Sequence, residues 1–274
     1  MKKTLYISDL DGTLLNSNQA LSNETVNILN HLLENKDFAF TIATARSHAS
    51  SHQLLSSLNL TLPRILYNGT IIYDAVHEQY VSIFGFESLL AQELLDFVLH
   101  HTHSVLVYTI VCGKEEVRYI ELNEDIQSYL ETRKNDSRMH YVSKIEQLYE
   151  GDIFYLTLIG KKTKLEPLYL KIKDNEAINV LFGEDLYHPN QYWLEIKSKN
   201  SSKANACLFL KEKYGYQELI CFGDSYNDLD MFEVCNQAYA VENASEKLKA
   251  KANCVIGKND ESSVAKFLWS TANI

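Results

Sequence analysis

The sequence has no Cys-x-x-Cys pair, no His-Glu-x-x-His, no Walker-type phosphate loop and no Gly-x-Gly-x-x-Gly. Zinc hydrolysis, ATP binding through a P-loop and Rossmann-type NAD binding therefore lose their usual signatures. Five cysteines form an odd set, and Cys221 and Cys254 sit in apolar, strand-like runs, where a buried free thiol acts as a small hydrophobe. A disulfide framework or a cysteine metal cluster is not expected. Positive charge is scarce: 26 Lys and Arg face 36 Asp and Glu, a net charge of −10, with no basic block. That balance gives no electrostatic footprint for nucleic acid or an anionic membrane. The longest apolar run, Val105 to Cys112, is broken by Thr109 and falls far short of the ~20 residues of a membrane span. Asp9 interrupts the start too early for the apolar segment of a signal peptide. Internal repeats, low-complexity tracts and Pro/Ser-rich linkers are also lacking. What is there is 274 residues, 46% hydrophobic and 23% charged, the composition expected of a folded, soluble, cytoplasmic protein with one large or two modest domains.

Short apolar runs alternate with helical periodicity near the N-terminus. Leu5–Ile7, Phe38–Ala43 and Ile65–Tyr67 read as buried strands, and Val26, Leu29, Leu32 and Leu33 recur at helical spacing behind a Ser22 or Asn23 cap. The polar stretch Ser47–Leu58 is compatible with helix, and the Asn68-Gly69 pair is a turn signal. The C-terminal third repeats the style, with helices expected over 202–213, 229–234 and 262–269 and strands over 219–222, 238–241 and 254–256. Apolar runs without alternation suit parallel strands buried on both faces. The middle differs. An amphipathic helix over 89–99 precedes a hairpin around Gly113-Lys114, and further candidates lie at 124–132, 154–159, 165–173 and 177–182. The expectation is an α/β core with a three-layer parallel sheet, formed by residues 1–82 and 189–274. An α+β domain over 83–188 is inserted in it.

The sharpest feature is Asp9-Leu10-Asp11-Gly12-Thr13, directly after the first strand. Ligands of open parallel sheets bind beyond the carboxyl ends of the strands. Two carboxylates two positions apart in extended chain point to one side, and Gly12 permits a sharp turn and a close approach. Like charges buried together need a cation or a shared proton, and hard oxygen ligands suit Mg2+ with a substrate phosphate. Gly223-Asp224-Ser225-Tyr226-Asn227-Asp228 follows another apolar strand in the same manner. Ile42-Ala43-Thr44-Ala45-Arg46 supplies a hydroxyl and backbone N–H groups, and Lys203 opens a helix. Carboxylates for a metal together with hydroxyl, amide and ammonium donors make a phosphoryl-transfer constellation.

In these residues, in this order, the chain resembles the haloacid dehalogenase superfamily, specifically the Cof-like phosphatases with a type-2B cap. Asp9–Thr13 matches the first motif, Thr44 the second, Lys203 the third and Gly223–Asp228 the fourth, around an insertion of cap size. Asn68-Gly69 matches a turn common in that subgroup, whereas Ala45 stands where glycine is usual. The resemblance implies a Mg2+-dependent phosphatase of small soluble phosphomonoesters such as sugar phosphates, nucleotides or phosphorylated cofactors. Asp9 would be the nucleophile that forms an aspartyl-phosphate, and Asp11 the acid and then the base. Mg2+ would be held by the Asp9 carboxylate, the Asp11 carbonyl and Asp224, with Ser225 or Asp228 nearby. The Leu10 and Ala45 amides, Thr44, Lys203 and Asn227 would surround the phosphoryl oxygens, beneath a closing cap.

Plainer roles compete at several positions. An isolated Asp-Gly is usually only a turn; agreement of four motifs argues against that here. Asp228 either contacts the metal, caps a helix or holds Lys203. Lys199 rivals Lys203 but lacks the small-residue helix after it, and Arg46 suits a structural ion pair. His188, Asn190 and Tyr192, placed by sequence where the cap returns to the core, either touch the leaving group or merely end the cap. A phosphotransferase or phosphomutase could use the same intermediate. A receiver-type phospho-Asp signalling module is the non-enzymatic rival, but it is shorter and lacks a counterpart of Asp11.

Overall fold

The computed structural model describes residues 3–185 and 188–271. The chain divides into two compact units: one runs to Ile83 and resumes at Ser202, and the other spans Phe84–Ser201. The first unit begins with β1 (Thr4–Ser8), α1 (Asn23–Leu33), β2 (Ala39–Ile42), α2 (His48–Ser51), β3 (Arg64–Leu66), β4 (Ile71–Asp74) and β5 (Gln79–Ile83). The second unit holds α3 (Ser88–His101), β6 (Leu106–Val111), β7 (Lys114–Tyr119), α4 (Glu124–Glu131), β8 (Met139–Tyr141), β9 (Asp152–Gly160), α5 (Lys162–Ile172), β10 (Ile178–Glu184) and β11 (Tyr192–Ser198). The first unit then resumes with α6 (Lys203–Tyr214), β12 (Glu218–Gly223), α7 (Leu229–Val234), β13 (Gln237–Ala240), α8 (Glu246–Lys249), β14 (Cys254–Val255) and α9 (Ser263–Thr271).

The first unit is built on a five-stranded sheet in the order β14-β13-β12-β1-β2, parallel throughout. Successive side chains of a strand face opposite sides. Cys221 reaches the Met231 carbonyl of α7 on one side, while the neighbouring Phe222 ring meets Phe267 of α9 on the other. Because α6 packs on α7 and α1 on α9, helices cover both faces and three layers result. Leu5, Ile7, Phe40, Ile42, Leu219 and Cys221 are fully buried, and on the alternate positions Thr41 and Phe222 are buried too, while Tyr6 and Ile220 are half-buried. Ser22 starts α1 by accepting from the Thr25 N–H, and Ser202 starts α6 by accepting from the Asn205 N–H.

Three expectations change here. Residues 64–66 do not join the parallel sheet as a full strand: β3 pairs antiparallel with β4, and β4 with β5, in a separate three-stranded sheet. A single parallel bridge, Ala43 to Ile65, links β3 to the end of β2. Cys254 is exposed on the edge strand rather than buried, while Cys221 is buried as expected. The helix-compatible stretch 47–58 forms only the short α2, followed by turns.

The second unit is a six-stranded sheet in the order β10-β11-β9-β6-β7-β8, antiparallel except for the parallel β7–β8 pair. Its apolar face, with Val105, Val107, Leu156, Leu158, Leu194 and Ile196, packs on Leu94, Leu95 and Val98 of α3 and Leu165 of α5. The sequence places the return to the core at 188/189, but the unit continues through Ser201. The reason is β11, which is hydrogen-bonded on both sides, to β10 and to β9, and carries Leu194 and Ile196 into that unit's core.

Candidate active site

The parallel register sets the site. Ser8 stands opposite Ile42 on one side and Phe222 on the other, so β1, β2 and β12 end at one level. Asp9 N–H continues the ladder to the Phe222 carbonyl (2.9 Å) and Ala43 N–H to the Ser8 carbonyl (2.9 Å). The residues that follow each strand, Asp9, Thr44 and Asp224, are thereby delivered to one edge of the sheet, as the fold class requires. The helix α6 brings in Lys203 from the side.

After Asp9 the chain makes one wide turn over 10–14, closed by Leu15 N–H donating to the Leu10 carbonyl (2.8 Å). Gly12 has φ +75°, and a Cβ there would stand 2.6 Å from Asp224 Oδ2. Glycine is thus required both by the backbone angle and by the close approach of the two acidic loops. Thr13 Oγ1 donates to Asp224 Oδ1 (3.1 Å), and Asn243 Nδ2 donates to the Gly12 carbonyl (2.7 Å).

Carboxylate oxygens of Asp9, Asp224 and Asp228 all lie within 4.8 Å of one another. Lys203, 1% exposed, donates from Nζ to Asp9 Oδ1 (2.5 Å) and to Asp228 Oδ1 (2.6 Å). Asp228 Oδ2 accepts from the backbone N–H groups of Asp224 (3.0 Å) and Ser225 (3.1 Å). Both oxygens of Asp228 are therefore engaged by the protein, which makes it the holder of Lys203 and of the 224–225 backbone. Asp9 and Asp224 keep more of their capacity for another partner.

Three carboxylates surround one ammonium, and the titration of the group reflects that surplus. Burial pushes Asp9 up, Lys203 opposes the shift, and Asp228 and Asp224 add to it. Asp224 is pushed up to about 6, first by burial and then by Asp228. Burial alone would pull Lys203 down, but Asp228 and Asp9 outweigh it and hold the proton firmly. A buried cluster with two negative charges in excess and hard oxygen donors is a fit for a divalent cation.

Asp11 stands apart from this cluster. Arg46 grips it with a two-pronged contact, Nε to Oδ2 at 2.7 Å and Nη2 to Oδ1 at 2.6 Å, and its side chain is 43% exposed. Arg46 thus makes an ion pair, on the very residue the resemblance casts as acid and base. Thr44 is buried; its Oγ1 accepts from the Arg46 N–H (3.1 Å), and Ala45 beside it is exposed. Ser225 Oγ donates to Asn227 Oδ1 (2.5 Å), and Asn227 Nδ2 donates to Asn68 Oδ1 (3.0 Å). Asp9, Leu10, Asp11, Thr44, Ala45, Lys203, Asp224, Ser225, Asn227 and Asp228 all lie in the first unit, after β1, β2 and β12 or at the start of α6; the contacts join Asp9, Lys203, Asp224, Ser225, Asn227 and Asp228, with Asp11 outside that group. Lys199 belongs to the second unit.

His188, Asn190 and Tyr192 are not at the return to the first unit. They lie at the β10–β11 connection, inside the second unit. There the His188 ring is 3.1 Å from Asp185, the Asn190 N–H donates to Glu184 and the Tyr192 hydroxyl donates to Glu184. Thr13 and Asn243 carry structural tasks that the sequence reading did not assign. Thr13 stood inside a recognised motif; Asn243 gave no signal, because its contact with Gly12 spans 231 residues.

The chain is similar to known proteins over nearly its whole length. The profile of the haloacid dehalogenase-like hydrolase family matches residues 6–268. The pyridoxal phosphate phosphatase YbhA of Escherichia coli is 25% identical over 266 residues, covering 96% of each chain. The 5-amino-6-(5-phospho-D-ribitylamino)uracil phosphatase YwtE of Bacillus subtilis is 27% identical over 281 residues, covering 95% of each chain. A crystal structure from Thermotoga maritima superposes with a TM-score of 0.80 at 26% identity, covering 100% of this chain and 99% of the other.

Proposed function

The chain belongs to the haloacid dehalogenase-like hydrolases and is a phosphoric monoester hydrolase of that family; on that premise we propose Mg2+-dependent cleavage of small soluble phosphomonoesters through an aspartyl-phosphate on Asp9. The observation that carries the reading is the surplus of carboxylates over ammonium at Asp9, Asp224, Asp228 and Lys203. Asp9, Asp224 and the Asp11 carbonyl would hold the cation, with Ser225 beside them and Asp228 behind them. When bound, the ion supplies positive charge that keeps the carboxylates ionised and offsets charge on the phosphoryl oxygens.

Asp9 supplies the attacking oxygen: a bond forms from its carboxylate to phosphorus while the ester P–O bond breaks. Lys203 opposes protonation of that carboxylate and holds it by a hydrogen bond. Asp11 leaves the Arg46 fork, takes up a proton from solvent through its partly exposed carboxyl group and gives that proton to the leaving alkoxide. Water then attacks the phosphoryl group, Asp11 takes its proton, and inorganic phosphate leaves with the Asp9 carboxylate restored. The Thr44 hydroxyl, the Leu10 and Ala45 amides, Lys203 and the Asn227 amide bind the phosphoryl oxygens. Splitting one displacement into two makes a very slow hydrolysis tractable, since phosphate monoesters need accelerations of up to ~10²¹-fold.

Sugar phosphates, nucleotides and phosphorylated cofactors are the proposed substrates; two relatives named as phosphatases of pyridoxal phosphate and of 5-amino-6-(5-phospho-D-ribitylamino)uracil support small phosphomonoesters of this kind. An acidic chain with net charge −10 fits a free small molecule better than a nucleic acid. Among the described residues no helix is long and apolar enough to cross a membrane, and the cytoplasm is the proposed location. The test is phosphate release from a panel of small esters, with Mg2+ and with EDTA. Activity is expected only with the metal and is expected to vanish in Asp9→Asn without loss of fold; turnover by that variant at the wild-type rate would refute the nucleophile.

A further inference from the structure

We infer that Asn68 is a positioning residue of the phosphate clamp, acting through the side-chain amide of Asn227; this rests on the phosphatase reading of the same site. The turn Tyr67–Gly69 carries three successive residues in the left-handed region, with φ of 50°, 51° and 93°. Glycine and asparagine tolerate this, but a buried tyrosine does not do so freely, and such residues persist only where their surroundings dictate them. Here the surroundings are the clamp itself.

Asn68 N–H donates to the Thr44 carbonyl (2.9 Å) and Tyr67 N–H to the Arg46 carbonyl (3.1 Å), which ties the turn to the loop after β2. Gly69 lies against the start of α6, where a Cβ would stand 2.0 Å from the Ser202 carbonyl oxygen and 2.6 Å from the Lys203 nitrogen. The Asn68 side chain, 8% exposed, accepts from Asn227 Nδ2 (3.0 Å). One buried turn therefore touches the segments that carry Thr44, Lys203 and Asn227, which are far apart in the chain.

The consequence falls on Asn227. Its Oδ1 accepts from Ser225 Oγ and one Nδ2 hydrogen goes to Asn68, so the amide plane is held at both ends. That leaves the second Nδ2 hydrogen with a fixed direction for a phosphoryl oxygen. Without the Asn68 carbonyl the amide turns about its last torsion, a soft, roughly two-fold rotor, and the donor is no longer aimed.

The test is a double-mutant cycle of Asn68→Gly and Asn227→Ala. Glycine keeps the positive φ without strain, which offsets part of the entropy it adds to the unfolded chain and the lost hydrogen bond, so melting temperature is expected to stay the same or fall slightly. The readouts are the dissociation constant of inorganic phosphate in Mg2+, and KM and kcat for an active ester. Each single variant is expected to weaken phosphate binding and raise KM by roughly 5–20-fold, with kcat less affected, and the double variant is expected to be no worse than Asn227→Ala alone. Equal fold-losses from Asn68→Gly in the wild-type and Asn227→Ala backgrounds would overturn the inference, as would an Asn68→Gly protein that binds phosphate like wild type. Failure of the phosphatase reading shows up elsewhere, in an Asp9→Asn protein that still releases phosphate.

Discussion

Two clusters of buried charge, one in each unit, are arranged in opposite ways. In the second unit each buried guanidinium is enclosed by carboxylates that answer it. Arg138 grips Asp136 with Nε at 2.9 Å and Nη2 at 2.5 Å and also meets Glu115, while Arg118 meets Glu116 at 2.8 Å, Glu150 at 2.7 Å and the Gln147 carbonyl at 2.6 Å. Burial pushes Asp136 up, yet Arg138 more than offsets this and leaves it below the usual range. In the first unit one ammonium faces three carboxylates, and Asp9 and Asp224 end above that range. In these two clusters, buried charge that the protein answers serves structure, and the carboxylate surplus it leaves unanswered suits binding.

The largest expected effect that would break this contrast is at Lys203. Lys203→Met leaves three carboxylates without a counter-charge, so phosphatase activity should fall on the order of 10³-fold and stability by about 3–5 kcal/mol. Urea unfolding and phosphate release check both; a variant with wild-type activity would show that the surplus is not functional. Arg138→Met in the second unit removes the partner of two nearly buried carboxylates. It should cost about 3 kcal/mol in urea unfolding while kcat per folded molecule stays within about two-fold.

The sign of the pH dependence sharpens the comparison. Asp224 titrates at about 6 when folded, against ~3.9 when unfolded, so the folded state binds its proton more tightly. In EDTA its contribution is therefore fully present below pH ~4 and lost as pH rises to ~6, at most about 3 kcal/mol. Asp136 behaves in reverse: its folded pKa is depressed, so its contribution is complete above the unfolded value and lost as pH falls through the folded one. Urea midpoints between pH 3 and 7 in EDTA should show a shallower falling limb in Asp224→Asn, with the share of Asp9 remaining, and a shallower acid-side limb in Asp136→Asn. An Asp224→Asn protein with the wild-type slope would contradict the assignment.

The smallest effect tests whether exposure decides. Arg46 and Asp11 form as good a fork as Arg138 and Asp136, but their side chains are 23% and 43% exposed. Arg46→Lys should change stability by less than about 1 kcal/mol, because solvent already screens the pair. A loss as large as that of Arg138→Met would show that geometry, not burial, sets the energy.

Much of the first unit was legible because buried parallel strands leave unbroken apolar runs, and Leu5–Ile7 and Leu219–Phe222 are of that kind. The acidic residues after them could be seen at once, since each follows its strand within a few positions. The β11 strand was harder. Tyr192–Ser198 alternates, with Leu194 and Ile196 buried in the second unit's core, but the pattern does not say with which sheet it pairs. The place of His188, Asn190 and Tyr192 changed for that reason alone. Likewise Asn68-Gly69 announced a turn, while its grip on Asn227 spans 159 residues.

By itself the sequence determined the chemistry on offer: which oxygen and nitrogen groups exist, and that each follows a strand end or opens a helix. Those are local properties, fixed by hydrophobic periodicity and by the backbone needs of residues such as Gly12. Tertiary structure alone decided the charge count. Only the parallel register of β1, β2 and β12 and the docking of α6 put three carboxylates around one ammonium within a few ångströms. Coulomb energy depends on separation and burial, which no local stretch of sequence specifies.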